Sequence, residues 1–113
     1  MPLPKPFYPL KTIKEKIRSA DIKINGNALQ SAFSDFGWDA NDIAVSLKKL
    51  NDKYHPIDPA KNHFYKTDPH LSLPFTMLDF YKAFKLYLGE DVYTHLYLKH
   101  DNGKIVVSSF KRK

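Results

Sequence analysis

The sequence of 113 residues contains no cysteine and only four glycines. Without cysteine the chain has no disulfide, no thiolate nucleophile, no cysteine-ligated zinc and no iron–sulfur cluster. The glycines are isolated from one another, so neither a phosphate-cradling loop nor the glycine pattern of a nucleophile elbow is present. The remaining candidates for catalysis or ligand binding are lysine, tyrosine and arginine side chains.

Long apolar runs are also missing. No stretch approaches the 18 to 20 apolar residues that cross a bilayer, and the proline-rich start lacks the apolar core of a signal peptide. Together with the missing cysteine, this predicts a cytoplasmic protein with no membrane association. At roughly 100 to 150 residues per domain, the length predicts a single domain over residues 1–113.

Positive charge is in excess, and it is unevenly distributed. Lysine and arginine number 18 against 12 acidic residues, which gives a formal charge of +6. Residues 1–23 carry +4, residues 24–60 carry −2 and residues 61–113 carry +4. Two basic ends around an acidic middle indicate one face for a polyanion, although a solvated surface that only maintains solubility has the same composition.

The first half of the chain has a helical pattern. Residues 1–9 should form an extended arm, because each proline ring fixes φ and disfavours helix at the residue before it. Apolar spacing then predicts a helix over residues 10–20, a short strand at 22–24, and two helices that begin after Asn25 and Asp39. Gly37 should end the second helix, and residues 51–62 form a long loop of the kind that is often functional or mobile.

The second half is richer in strand signals. Residues 63–67 predict a short strand, and residues 68–74 a turn-rich stretch. Residues 76–88 fit a helix, with Thr76 and Asp79 as a capping box, while their aromatic content favours a strand. Residues 92–99 and 105–110 alternate about the turn at residues 101–103, which predicts a C-terminal β-hairpin.

Five histidines raise the question of a metal, but none forms an i, i+4 pair and no carboxylate cluster accompanies them, so we expect no metal. One side of the predicted hairpin should carry Tyr93, His95, Tyr97 and Lys99. Such a face suits RNA, because aromatic rings stack on bases and ammonium groups neutralise phosphates. The alternative is an ordinary half-buried strand, whose solvent-facing side has the same polar pattern without any role in binding.

Four short motifs resemble, in order, those of the motility quorum-sensing regulator (MqsR) family of toxins. They are His63-Phe64-Tyr65-Lys66, Asp79-Phe80-Tyr81, Leu96-Tyr97-Leu98-Lys99 and the stretch 106–113. The order of the elements in residues 10–36 agrees too. The resemblance implies a RelE-like α+β fold, with N-terminal helices packed on a mainly antiparallel sheet that ends in the C-terminal hairpin.

The resemblance also implies a function. The family members are type II toxins that act as mRNA endoribonucleases without metal or cofactor, and a dimeric helix-turn-helix antitoxin represses and silences them. This chain would then act on mRNA as a monomer held by such an antitoxin. Alternatives are a non-catalytic RNA- or DNA-binding module and an inactive toxin relative that serves as an interaction protein.

Specific residues follow from the match. The family's catalytic positions fall here on Lys66, Tyr97 and Lys111, while its glutamine position carries Leu78, or Glu90 if Asp91-Val92-Tyr93 is aligned instead. From the charge and the strand pattern we add four RNA-binding candidates. They are Lys99, Arg112, Tyr93 and His95.

RNA supplies its own nucleophile, the 2′-hydroxyl, so the protein must accept that proton, stabilise the phosphorane and protonate the leaving 5′-oxygen. We expect Tyr97 or Lys66 to handle the first proton and Lys111, with Arg112, to hold the phosphate, with His95 in reserve. Convergence of Lys66, Lys99 and Lys111 should lower the pKa of at least one of them.

The hairpin register provides a test of this arrangement. A two-residue turn would place Tyr97 and Lys111 on opposite faces of the sheet. A three-residue turn at Asp101-Asn102-Gly103 with a bulge would place Tyr93 opposite Lys111 and both tyrosines on the face of the lysine. The nuclease hypothesis requires the second arrangement.

Overall fold

A computed structural model describes residues 5–100 and 102–112, which form three α-helices, a short 3-10 helix and five strands. The helices are α1 (Leu10–Arg18), α2 (Gly26–Phe36) and α3 (Ala40–Leu47), with the 3-10 turn at Pro59–Lys61. The strands are β1 (Ile22–Ile24), β2 (Phe64–Pro69), β3 (Met77–Tyr87), β4 (Glu90–Leu98) and β5 (Ile105–Arg112). Residues 1–4 of the predicted arm, Asp101 of the predicted turn and Lys113 lie outside the described residues.

The five strands form one mixed sheet in the order β1-β5-β4-β3-β2. β1 runs parallel to β5, and the other three pairings are antiparallel. The expected α+β class, the mainly antiparallel sheet and the hairpin of β4 and β5 are therefore confirmed. None of the described helices is long and apolar enough to span a membrane.

The local signals in the first half act largely as expected. α1 buries Leu10, Ile13 and Ile17 and ends at Arg18, earlier than the pattern predicts. Asp39 and Asp42 form a reciprocal capping box at the start of α3. Gly37 ends α2 with a φ of 74°, a left-handed conformation that glycine adopts without steric cost. Asn25 occupies the N-cap position of α2, but its side chain makes no capping bond.

Residues 77–87 form a strand, so the helical interpretation of this segment and its capping box are wrong. Asp79 lies fully buried in the middle of β3, where its carboxylate accepts hydrogen bonds from the Phe7 N–H at 2.9 Å, the Tyr8 N–H at 2.8 Å and the Thr67 hydroxyl at 2.5 Å. These bonds hold the end of the N-terminal arm against the sheet. β2 also extends through Pro69, into the stretch predicted as turns.

The helices cover one face of the sheet. Fully buried side chains of α1 and α3, among them Ile13, Ile43 and Leu47, join one apolar cluster with Leu96 and Phe110 of the hairpin. The opposite face of β2, β3, β4 and β5 carries no helix among the described residues. That face holds most of the residues that the sequence singles out.

Candidate nucleic-acid interface

The β4–β5 hairpin contains a bulge that decides which side chains share a face. Tyr93 pairs with Lys111 and His95 with Ser109, but Leu96 then pairs with Val107, which leaves Ser108 as the extra residue of β5. Residues that pair across strands point to the same side, and side chains along a strand alternate. Tyr93, His95, Tyr97 and Lys111 therefore share one face, and the two-residue turn register is wrong.

The bulge differs in place from the expected one. A bulge at the turn would pair Tyr97 with Val107, whereas the structure pairs Tyr97 with Val106 because the shift occurs beside His95. Tyr97 and Lys111 still lie on one face of the sheet, as the nuclease hypothesis requires.

The pairing of β2 and β3 extends this face across the sheet. Lys66 pairs with Phe80, Phe80 with His95, and Lys82 with Tyr93. We call this side of the sheet the open face. Its central residues are Lys66, Phe80, Lys82, Tyr93, His95, Tyr97 and Lys111.

Ammonium groups of the open face lie over aromatic rings. The Lys82 Nζ is 3.8 Å from the ring centroid of Tyr65 and 5.8 Å from that of Tyr93. The Lys111 Nζ lies 5.4 Å from the Tyr93 centroid, and a cleft of about 390 Å³ opens between Lys82, Tyr93 and Lys111. Such an array offers positive charge to phosphates and ring faces to unpaired bases.

His95 lies at the centre of the open face. Its ring centroid is 4.7 Å from that of Phe80, and its Nδ1 is buried with no hydrogen-bond partner among the described residues. Burial, followed by the positive charge of Lys111 and then by His70, lowers the pKa of His95 from its ordinary value of 6.5. The imidazole is therefore neutral at pH 7 and able to accept a proton, and Nε2 is the nitrogen left for a ligand.

Tyr97 is more enclosed than the sequence indicated. Its side chain is only 7% exposed, and this burial raises its pKa. Its ring packs edge-on against that of His70, with 5.3 Å between the ring centroids. The phenol keeps its proton at neutral pH, so it suits the role of proton donor and not that of base. It lines a cavity of about 200 Å³ together with Lys99, His100 and the segment 73–76. Lys99 follows Leu98, the last residue of β4, and so lies at the same end of that strand as Tyr97.

Lys66 does not have the electrostatic environment that the sequence predicted. Its Nζ lies 2.7 Å from the Asp68 carboxylate, and the hydrogen bond to Asp68 raises the pKa of Lys66. The expected lowering by neighbouring lysines is not found at this residue, because the carboxylate two residues along β2 lies on the same side of the strand. Lys66 stays charged, with its Nζ 4.7 Å from the Phe80 centroid, and can bind phosphate but cannot act as a base at neutral pH.

Arg112 differs from Lys111 in its contacts. Its guanidinium lies on the helix-covered face, where Nη1 is 2.7 Å from Glu90 Oε2, Nη2 donates to the Asp35 carbonyl and the group covers the Phe36 ring at 5.1 Å. Arg112 also lines the cleft formed with Lys82, Tyr93 and Lys111. That Arg112 holds a phosphate with Lys111 stays a prediction, and it would require the guanidinium to leave Glu90 and Asp35.

The contact between Arg112 and Glu90 also bears on the family's glutamine position, for which Glu90 and Leu78 are the two candidates. The carboxylate of Glu90 is engaged by Arg112 on the helix-covered face. Leu78 is 7% exposed and has no polar side-chain atom. Neither residue presents a polar group to the open face.

Sequence reasoning missed Lys82, Tyr65 and His70. Lys82 lies two residues from Phe80 in β3, so a strand interpretation of residues 76–88 would have placed both on one face. Tyr65 immediately precedes a residue that the motif did identify. His70 gave no signal, because its position against Tyr97 depends on the fold of the segment 70–76, where its Nδ1 accepts hydrogen bonds from the N–H groups of Ser72 and Leu73, both at 3.0 Å.

Over residues 5–100 and 102–112, no three histidine, aspartate or glutamate side chains come together in an arrangement that could hold a metal ion. No model of a known protein family matches the chain, and neither does any curated protein.

Proposed function

We propose that this protein is the toxin of a type II toxin–antitoxin pair, a RelE-like endoribonuclease that cleaves mRNA in the cytoplasm without a metal or cofactor. The observation that carries the proposal is His95, a neutral imidazole without a hydrogen-bond partner at the centre of a face lined by lysines and aromatic rings. The resemblance of the four sequence motifs to the MqsR family supports the same activity.

The proposed reaction uses His95 as the base. The imidazole Nε2 accepts the proton of the 2′-hydroxyl while the 2′-oxygen forms a bond to the adjacent phosphorus. The bond from phosphorus to the 5′-oxygen breaks, and that oxygen takes a proton from the Tyr97 hydroxyl. The products are a 2′,3′-cyclic phosphate and a free 5′-hydroxyl. The His95 imidazolium then gives its proton to water and the Tyr97 phenolate takes one from water, which restores both protein groups.

The lysines stabilise charge in this scheme. Lys111 pairs with Tyr93 on the open face, and its positive charge acts on His95, so its ammonium group is suited to the extra negative charge of the phosphorane. Lys82 and Lys66 would bind the phosphates on either side, and the rings of Tyr93 and Phe80 would stack on flanking bases. This assignment replaces the expectation that Lys66 or Tyr97 accepts the first proton, because both groups hold their protons at neutral pH.

The partners in this proposal are mRNA and a dimeric helix-turn-helix antitoxin of the kind that silences MqsR-family toxins, on which the toxin assembles as a monomer. The neighbouring reading frame should encode such a protein, and co-expression should restore growth. Failure of a neighbouring protein to bind the chain would argue against the toxin–antitoxin assignment while leaving the nuclease intact.

Expression in a bacterial host tests the proposal. We expect the wild-type chain to arrest growth and to produce mRNA cuts that primer extension maps, and we expect His95→Gln, Lys111→Gln and Tyr97→Phe to lose both effects. Lys48→Gln is a matched control, because it removes one exposed lysine at the C-terminal end of α3, on the helix-covered side of the sheet. Growth arrest by His95→Gln equal to that of the wild type would exclude the proposed mechanism.

The second candidate is an RNA- or DNA-binding module without catalysis. The ion pair between Lys66 and Asp68 and the burial of Tyr97 favour it, because both reduce the polar groups available to a reacting phosphate. It predicts salt-sensitive binding that Tyr93→Ala weakens, with no cleavage at any pH. An inactive toxin relative would instead bind its antitoxin and show neither activity.

A further inference from the structure

The solvent side of α1 carries a row of cations. Lys11, Lys14 and Arg18 are spaced three and four residues apart, which aligns them along about 10 Å of one helix face. The opposite side of α1 is buried in the core. In the part of the chain that the structure describes, no carboxylate lies within ion-pair distance of these three side chains. We call them the α1 stripe.

The α1 stripe borders a groove at the start of the long loop. The groove has a volume of about 380 Å³ and is completed by Leu10, Asn51 and Asp52. Asp52 is the acidic residue in this lining, against three cations. The groove is therefore suited to an anion with more than one charge.

A second cavity shares Asp52 with this groove and Lys82 with the open face. It has a volume of about 280 Å³ and is lined mostly by residues of the loop 51–62 and the start of β2. Tyr54, Phe64 and Tyr65 give it an aromatic surface. Because β2 is an edge strand, the loop and this cavity lie at the edge of the sheet, where one face of the molecule meets the other.

We infer that single-stranded RNA bound on the open face continues around the β2 edge, inserts a base into the cavity at the loop 51–62, and places its next phosphates on the α1 stripe. The inference rests on the proposed function for the identity of the ligand. It gives the enzyme a second anchoring site on the opposite side of the molecule from His95.

The chemistry of each part matches RNA. The cations of the stripe bind phosphate oxygens, and the tyrosine and phenylalanine rings of the cavity offer stacking surfaces to a base. The Asp52 carboxylate can accept a hydrogen bond from an exocyclic amino group of that base. An acidic peptide would use the stripe but has no planar group for the aromatic cavity, so RNA is the occupant that accounts for both.

Binding of short and long RNA separates this site from the open face. The ligands are fluorescent 2′-O-methyl oligonucleotides of about 4 and 16 nucleotides, the range that single-strand sites cover, which lack the nucleophile and are not cut. The test variant carries Lys11→Gln, Lys14→Gln and Arg18→Gln. The control carries Lys48→Gln, Lys49→Gln and Lys104→Gln, three exposed lysines outside α1, and so has the same net charge.

We expect the wild type to bind the long RNA more tightly than the short one, and the α1 variant to lose that difference. The slope of log affinity against log salt for the long RNA should fall by about 2 in the α1 variant, because each lost contact to a single strand contributes about 0.7. The control variant should keep the wild-type slope.

Three results would overturn the inference. If the α1 variant and the control bind the long RNA equally, the stripe makes no phosphate contact, while binding of the short RNA keeps the proposed function intact. If an acidic peptide, poly-glutamate, binds the stripe and displaces no RNA, the occupant is a protein. If the wild type binds neither oligonucleotide, the proposed function fails together with the inference. Circular dichroism of both variants establishes that each is folded.

Discussion

Lys111 and His95 lie on neighbouring strands of the open face, and the positive charge of the lysine adds to burial in lowering the pKa of the imidazole. In the proposed reaction the two groups have complementary roles. Burial and the positive charge of Lys111 both favour the neutral imidazole, and the same cation would bind the phosphate on which the proposed base acts.

The pH dependence of RNA cleavage tests this pairing. Because the pKa of His95 is lowered from 6.5, the base stays active as the pH falls until the imidazole becomes protonated, so the acid limb of the rate profile should lie below pH 6.5. In Lys111→Gln the residual activity should have an acid limb at higher pH, because removal of the positive charge makes the imidazole easier to protonate. Single-turnover rates across the acid range measure both. An acid limb that does not move in Lys111→Gln would contradict the proposed interaction.

Tyr97→Phe should reduce cleavage about 100-fold or more, the usual contribution of a positioned proton donor, with little change in stability because the buried ring is retained. Single-turnover cleavage and urea denaturation measure the two effects. Tyr87→Phe is the matched control. The ring of Tyr87 packs edge-on against Trp38 on the helix-covered side, with 5.2 Å between the ring centroids. Equal rates for the two variants would remove Tyr97 from the mechanism.

Asp68→Asn should lower the pKa of Lys66 toward its ordinary value, because the hydrogen bond to the carboxylate is the largest cause of the increase. It should also strengthen RNA binding, since Lys66 would no longer be shared with a carboxylate. NMR titration of the Lys66 ammonium group and an RNA binding isotherm test the two parts. Asp58→Asn provides the comparison, because Asp58 pairs with Lys61 at 3.9 Å away from the open face. Weaker binding by Asp68→Asn would mean that the ion pair positions Lys66 for RNA.

Asp79→Ala should destabilise the fold by about 3 kcal/mol or more, because it leaves buried donors from Phe7, Tyr8 and Thr67 without their acceptor. Asp91→Ala is the control. Asp91 accepts one exposed hydrogen bond across β3 and β4, from the Lys85 N–H at 2.9 Å, and its loss should cost about 1 kcal/mol. Chemical denaturation of both variants measures the difference. Similar midpoints would show that the N-terminal arm adds little to stability.

The elements that the sequence predicts well are those fixed by neighbours in the chain. The capping box of Asp39 and Asp42, the left-handed Gly37 and the alternation of β4 depend on residues within a few positions. The predicted strand ended at residue 110, whereas β5 continues to Arg112. The alternation that directs Lys111 and Arg112 to opposite faces was therefore not part of the prediction.

The features that escaped prediction depend on distant residues. Residues 77–87 satisfy both a helical and a strand pattern, and the choice is decided by pairing with β2 and β4 and by the donors that meet Asp79 from Phe7 and Tyr8. The bulge at Ser108 has no local glycine to mark it. His95 was visible in the alternation of β4, but its lowered pKa depends on burial against Phe80 and on the position of Lys111.

The most direct test of the account is single-turnover cleavage of RNA by the purified protein in the presence of a metal chelator, with His95→Gln alongside. We expect the wild type to produce fragments that end in a 2′,3′-cyclic phosphate, and His95→Gln to bind the same RNA but to cleave it at least about 100-fold more slowly. Equal cleavage by His95→Gln, or no cleavage by a wild-type protein that binds the RNA, would contradict the account.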